Sequence, residues 1–151
     1  MDVFELIKAD HRKAEELFSA IESADDPTQR YDYFQQIYLE LNLHAQTEEL
    51  VLYPAMREYE ETNQFVEAAE EEHVKAKELL EEIKPLDPDS SQFKSKIKKL
   101  KEAVEHHVQE EENSLLPTVS ECMKKKELQQ LAQEFQQTKT KLQEDMVATL
   151  V

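Results

Sequence analysis

The chain of 151 residues contains no glycine and no tryptophan, and only five prolines. Without glycine the tight turns of two-residue β-hairpins lose their usual occupant, and neither a phosphate-cradling loop nor a dinucleotide-binding fingerprint can be written. A single cysteine, Cys122, excludes an internal disulfide. It lies away from the motif described below and reads as a bystander thiol. There is no long apolar run, and the first residues, Met1-Asp2-Val3-Phe4-Glu5, carry acids where a signal peptide would carry bases. The expectation is a cytoplasmic protein with no membrane partner. Bases are also scarce: eighteen stand against thirty-four acids, for a net charge of −16. Such a surface repels phosphate backbones, so nucleic acid is not an expected partner. No recognisable setting for a Ser/His/Asp or Cys/His nucleophile is present.

What remains is rich in Glu, Lys, Gln, Leu and Ala, which favours helix. The length suits one unit with a real core. Proline, aspartate, serine and asparagine punctuate it. They predict helices near 2–23, from about Thr28 to about Tyr59, near 63–83, near 91–121 and near 124–149. Pro54 should bend or interrupt the second. The segment from Lys84 to Ser91 is the clearest loop, and its Asp or Ser residues offer an N-cap to the helix that follows. The expected organisation is a bundle over 1–122 and an amphipathic helix over 123–151. The last helix has its own apolar stripe, Leu128, Leu131, Phe135, Leu142, Met146 and Leu150, and no histidine. It would cover the bundle or serve a dimer contact, leaving monomer and homodimer both open.

Two segments repeat. His44-Ala-Gln-Thr-Glu48 is followed by Pro54, and His107-Val-Gln-Glu-Glu111 by Pro117, 63 positions later. Upstream stand Asp10-His11 and Glu72-His73, 62 positions apart. The apolar stripes place all six polar residues on core-facing positions. His11 falls among Phe4, Ile7, Ala14, Phe18 and Ile21. His44 and Glu48 follow Phe34, Ile37 and Leu41 and precede Val51. His73 lies among Val66, Ala69, Ala76, Leu80 and Ile83. His107 and Glu111 lie between Val104 and Leu115, after Phe93, Ile97 and Leu100.

A buried carboxylate without a partner costs several kcal/mol and normally takes up a proton. Two of them beside four histidines point to cations. Residues at i and i+4 lie one helical turn apart, about 6 Å between β-carbons, so each His/Glu pair can reach one metal and each glutamate can bridge to a second. His11, His44, Glu48, His73, His107 and Glu111 are therefore the expected ligands of two metal ions. Imidazole with carboxylate suits iron, manganese or zinc. His106 makes a rival pair with Glu110, but its face holds Ala103 and Asn113 and its counterpart in the first repeat is Leu43. It reads as a bystander or an outer group, as do Glu49 and Glu112. Lys77, one turn after His73, reads as a solvated lysine.

His44-x-x-x-Glu48 with Leu52-Tyr53-Pro54, and His107-x-x-x-Glu111 with Leu116-Pro117, resemble the two signature segments of the hemerythrin-like HHE cation-binding family, over about residues 3–120. The resemblance implies an all-α, up-down antiparallel four-helix bundle, with the C-terminal helix additional. It also implies a non-haem di-iron centre, oxo- or hydroxo-bridged, with Glu48 and Glu111 spanning the irons. The implied ligand is dioxygen, nitric oxide or a peroxide, or the protein senses oxygen or iron. A di-iron enzyme (peroxidase, NO reductase or iron-centre repair) and a metal-stabilised helical interaction module are the alternatives. Oxygen-carrying members have a second histidine four residues from the first on the third helix; here those places hold Ala69 and Lys77. Carriers also set the fourth-helix histidine five before the bridging acid, a spacing that His106 has to Glu111.

Overall fold

The computed structural model describes residues 1–150, apart from the side chains of Thr149 and Leu150. The side chain of the stripe position Leu150, and the terminal Val151, lie outside what is described. The protein is all-α. In chain order come α1 (Val3–Ser23), α2 (Pro27–Thr47), a wide π-helical turn (Glu48–Leu52), α3 (Tyr53–Met56), the short α4 (Glu60–Asn63) and α5 (Val66–Ile83). Then follow α6 (Ser91–Glu110), a second wide turn (Glu111–Leu115), α7 (Leu116–Cys122) and α8 (Lys125–Leu150). With α2 running on into α3 and α6 into α7, four long rods form the antiparallel bundle, and α8 is the fifth.

The starts follow from side chains that satisfy free backbone donors. Asp2 accepts from the Glu5 N–H at 2.8 Å, Asp26 from Thr28 at 2.9 Å, and Ser90 from Phe93 at 3.2 Å. Pro27 occupies the first turn of α2, where its missing N–H costs nothing.

Pro54 does not interrupt its helix. In a regular helix the proline ring would press on the carbonyl four residues back, that of Leu50. The chain instead inserts one extra residue into the turn: the Tyr53 N–H reaches the Glu48 carbonyl. Ahead of Pro117 the same device recurs, with the Leu116 N–H on the Glu111 carbonyl. Both wide turns begin at the repeated glutamates, in keeping with the tendency of such turns to mark functional positions. The third expected helix starts slightly later, at Val66, with the short α4 lying ahead of it.

Apolar residues gather in two clusters. One contains Ile7, Leu52, Met56, Leu115, Val119 and Phe135. The other contains Phe18, Phe34, Ile37, Leu80, Phe93 and Leu100. Along every rod of the bundle a histidine separates residues of the first cluster from residues of the second, so the polar layer lies between two dry ones. Helix α8 packs on α1, on α2 and on the first wide turn. Its cover explains why α2 buries Leu43 as well as its expected stripe. Among the described residues no helix is long and apolar enough to cross a membrane.

Candidate metal centre

The rods bring the six stripe residues together. Glu48 and Glu111, at 0% and 1% exposure, stand in the middle. Glu48 Oε1 is 3.2 Å from His44 Nε2, 3.2 Å from His73 Nε2 and 3.9 Å from His107 Nε2. Glu111 Oε1 is 3.0 Å from His11 Nε2 and 3.9 Å from His44 Nε2, while its Oε2 lies 3.1 Å from His107 Nε2. Two sets of three result, His11, His44 and Glu111, and His73, His107 and Glu48, each with donor atoms within 4.8 Å of one another. Each glutamate also approaches a histidine of the other set, which suits it to span two ions.

Behind the rings, carboxylates fix their orientation. His44 Nδ1 bonds Asp10 at 2.8 Å, His107 Nδ1 bonds Glu72 at 2.8 Å, and His11 Nδ1 bonds Glu112 at 2.6 Å. His73 Nδ1 faces Glu49 at the longer distance of 3.6 Å. Every one of these acids is the sequence neighbour of one of the six: Asp10 of His11, Glu72 of His73, Glu49 of Glu48, Glu112 of Glu111. An acid on Nδ1 selects the tautomer that leaves Nε2 free for a metal. Glu112 therefore belongs to the outer layer of the site, whereas Glu49, 38% exposed and 3.6 Å from His73 Nδ1, faces that ring without a hydrogen bond.

His11 Nε2, His44 Nε2, His107 Nε2 and all four carboxylate oxygens of Glu48 and Glu111 are buried without a hydrogen-bond partner. Each such group would cost about 1–3 kcal/mol if left so; without cations only protonated imidazoles facing the carboxylates at 3.0–3.2 Å offset that cost. Seven orphaned polar atoms converging on one space fit a pair of cations, and the absence of thiolate among them fits iron, manganese or zinc.

Without cations the site balances its charge with protons. Burial pushes the His44 and His107 imidazoles down, but the carboxylates around them prevail and hold both well above the ordinary value. His73 is raised in the same way by Glu48 and Glu49. Burial pushes Glu48 up, yet the neighbouring imidazoles hold it well below the usual carboxylate range. Glu111 is raised by burial and by Glu48, and brought below that range on balance by His107, His11 and His44.

Tyr53 was not singled out by the sequence. Its ring is fully buried and stacks on His73 with centroids 5.5 Å apart, and its hydroxyl lies 3.2 Å from His73 Nε2. Burial and the charges of Glu48, Glu111, Glu49 and Glu72 keep the phenol protonated. Leu116 holds the corresponding place in the second repeat. The signal available was the Leu52-Tyr53-Pro54 triplet, which carries no periodicity of its own.

His106 stays outside. Its side chain is 65% exposed and faces Glu72 and Glu110 at 3.4 and 3.3 Å. The four inner histidines line a cavity of about 200 Å³, with Ala14, Leu41, Ala76, Leu80 and Val104 as its apolar walls. Lys77, exposed to solvent, also lines it.

The family model for the Hemerythrin HHE cation binding domain matches residues 2–119. The chain is 34% identical over 144 residues to a DNA nickase of Nostoc sp., covering 95% of this chain and 41% of that protein. It thus spans about two fifths of that relative's length. An uncharacterized hemerythrin-like protein of Schizosaccharomyces pombe is 30% identical over 139 residues, covering 91% of this chain and 68% of that one. The crystal structure of a hemerythrin HHE cation binding domain-containing protein from Mycobacterium kansasii superposes with a TM-score of 0.88 at 20% identity, covering 99% of this chain and 92% of that chain. The chain belongs to the hemerythrin HHE cation binding domain family.

Proposed function

We propose that the protein holds two iron ions on His11, His44, Glu48, His73, His107 and Glu111, and that this centre binds dioxygen, nitric oxide or a peroxide, or reports on oxygen or iron. The observation that carries the reading is the set of seven orphaned inner atoms beside an apolar cavity lined by the same four histidines. A redox-active metal pair with exchangeable coordination positions supplies ligand binding or electron transfer. The chain's own residues do the rest. Asp10, Glu72 and Glu112 orient the rings, the two apolar clusters keep bulk water out, and the cavity admits a small uncharged molecule. Manganese or zinc would fit the same donors.

Each half of the site offers two histidines, and the positions four before and four after His73 are Ala69 and Lys77. Both metal positions then keep room for an outside ligand, which favours a sensor or an enzyme over a reversible carrier. The net charge of −16 argues that the nickase-like relative's action on DNA does not extend to this chain. We place it in the cytoplasm as a monomer or homodimer, with 1–122 as the metal-holding unit.

The test is metal content and absorption of protein from iron-fed cells, reduced without oxygen, exposed to air and deoxygenated again. Two irons and conversion to a lasting ferric spectrum are expected. Full, repeated recovery of the starting spectrum would establish a carrier, and fewer than two metals would overturn the reading altogether.

A further inference from the structure

The two halves of the centre are alike in their inner residues and unlike in what stands behind them. In the first half, Asp10 is 8% exposed; its Oδ2 holds His44 Nδ1 and its Oδ1 accepts from the Lys139 ammonium. Lys139 comes from α8, which lies beyond the segment that the family model matches. One turn earlier on the same helix, Phe135 is 1% exposed and meets the His44 ring edge-on at 6.2 Å. Helix α8 thus touches the Asp10–His44 pair at two points. In the second half Glu72 plays the part of Asp10 toward His107, with its side chain 23% exposed and its other oxygen 3.4 Å from the exposed His106.

We infer that Lys139 is a positioning residue that makes the two metal positions unequal. Its ammonium anchors Asp10, Asp10 anchors the His44 ring, and Phe135 blocks that ring from swinging away. The ring is therefore held ready for its ion, and the ordering cost that metal binding would otherwise carry is smaller there. At the His73/His107 position Tyr53 stacks on the His73 ring, but Glu72, the acid behind His107, faces the exposed His106 instead of a lysine from α8. Stepwise loading follows, with the His11/His44 position filling first.

This inference rests on the two-metal reading, and the experiment separates the two. Metal-free protein is titrated with Co2+ and followed by calorimetry and by visible absorption of the bound ion. Wild type is expected to bind two ions in resolved steps. Lys139→Met should weaken the tighter step about tenfold, the low end for loss of an outer partner, and leave the weaker step unchanged. Lys139→Arg should restore the tighter step. Thermal melts of the metal-free variants report fold integrity separately. Two ions with identical isotherms in wild type and Lys139→Met, equal weakening of both steps, or failure of Lys139→Arg to rescue a folded protein would overturn the inference alone. Uptake of fewer than two ions by wild type would overturn the two-metal reading and the inference with it.

Discussion

The first repeat, Asp10 to Pro54, and the second, Glu72 to Pro117, put the same inner atoms in the same places. Histidine precedes glutamate by four, a wide turn starts at the glutamate, and proline follows six residues on. Away from those atoms the repeats part. Tyr53 stands where the second repeat has Leu116, and Asp10 is roofed by α8 whereas Glu72 looks toward solvent. Positions at the buried centre are constrained by charge and distance at once. Positions behind them need only supply an oxygen to a ring nitrogen, which several surroundings can do.

The largest expected effect tests the shared part. Glu48→Ala and Glu111→Ala each remove a carboxylate that reaches histidines of both sets, so each should abolish the paired centre. Elemental analysis should fall from two ions per chain to one or none in both variants. A variant that kept two would show that its glutamate serves one ion only, and the equivalence of the repeats would fail.

Removing the metal should have the next largest effect, and its pH dependence sharpens the point. In the metal-free protein His44, His73 and His107 have values raised above the ordinary 6.5. Their contribution to stability is complete below about 6.5 and is lost as pH rises through the raised values. Glu48 and Glu111 lie below the ordinary 4.5, so their contribution persists above that value and disappears as pH falls through the depressed ones. Metal binding runs the other way from the imidazoles, because the ions must displace those protons. At free metal about 100 times the dissociation constant, binding stabilises by about 2.7 kcal/mol, or roughly 5–10 °C in a domain of this size. Melting curves with and without metal should diverge as pH rises from about 6 to about 9. A gap that narrowed would mean that the imidazoles are not the ligands.

How far the sequence revealed this molecule follows from where its signals lie. The six inner residues were legible because histidine and glutamate interrupt otherwise apolar stripes, and an interruption repeated 62–63 positions later is hard to miss. The four long rods were legible from the same stripes. The wide turns were not: Pro54 and Pro117 signal a disturbed helix, and only the carbonyls they avoid show that the helix widens rather than breaks. Nor did the stripe of α8 reveal its target. Phe135 and Lys139 are four apart, but their partners, His44 and Asp10, lie some ninety and more positions away, and local periodicity says nothing about contacts at that range.

The smallest expected effect falls on His106, the one histidine the repeats do not share. Its spacing to Glu110 imitates the His44 and Glu48 pair, so spacing alone would make it a ligand. The geometry sets it apart from the inner six: its side chain is 65% exposed and its Nε2 faces Glu72 and Glu110, with which it forms a separate, outer group. Exposed ion pairs of this kind contribute about 0–1 kcal/mol. His106→Ala should leave two metals bound, shift the melting temperature by no more than a few degrees, and leave the His107 bond to Glu72 in place, since that bond uses the other carboxylate oxygen. Metal analysis of His106→Ala beside His107→Ala decides the matter. Loss of metal in the second variant and not the first is the expected result; the reverse would mean that the fourth rod is turned by one residue and that the second repeat does not superpose on the first.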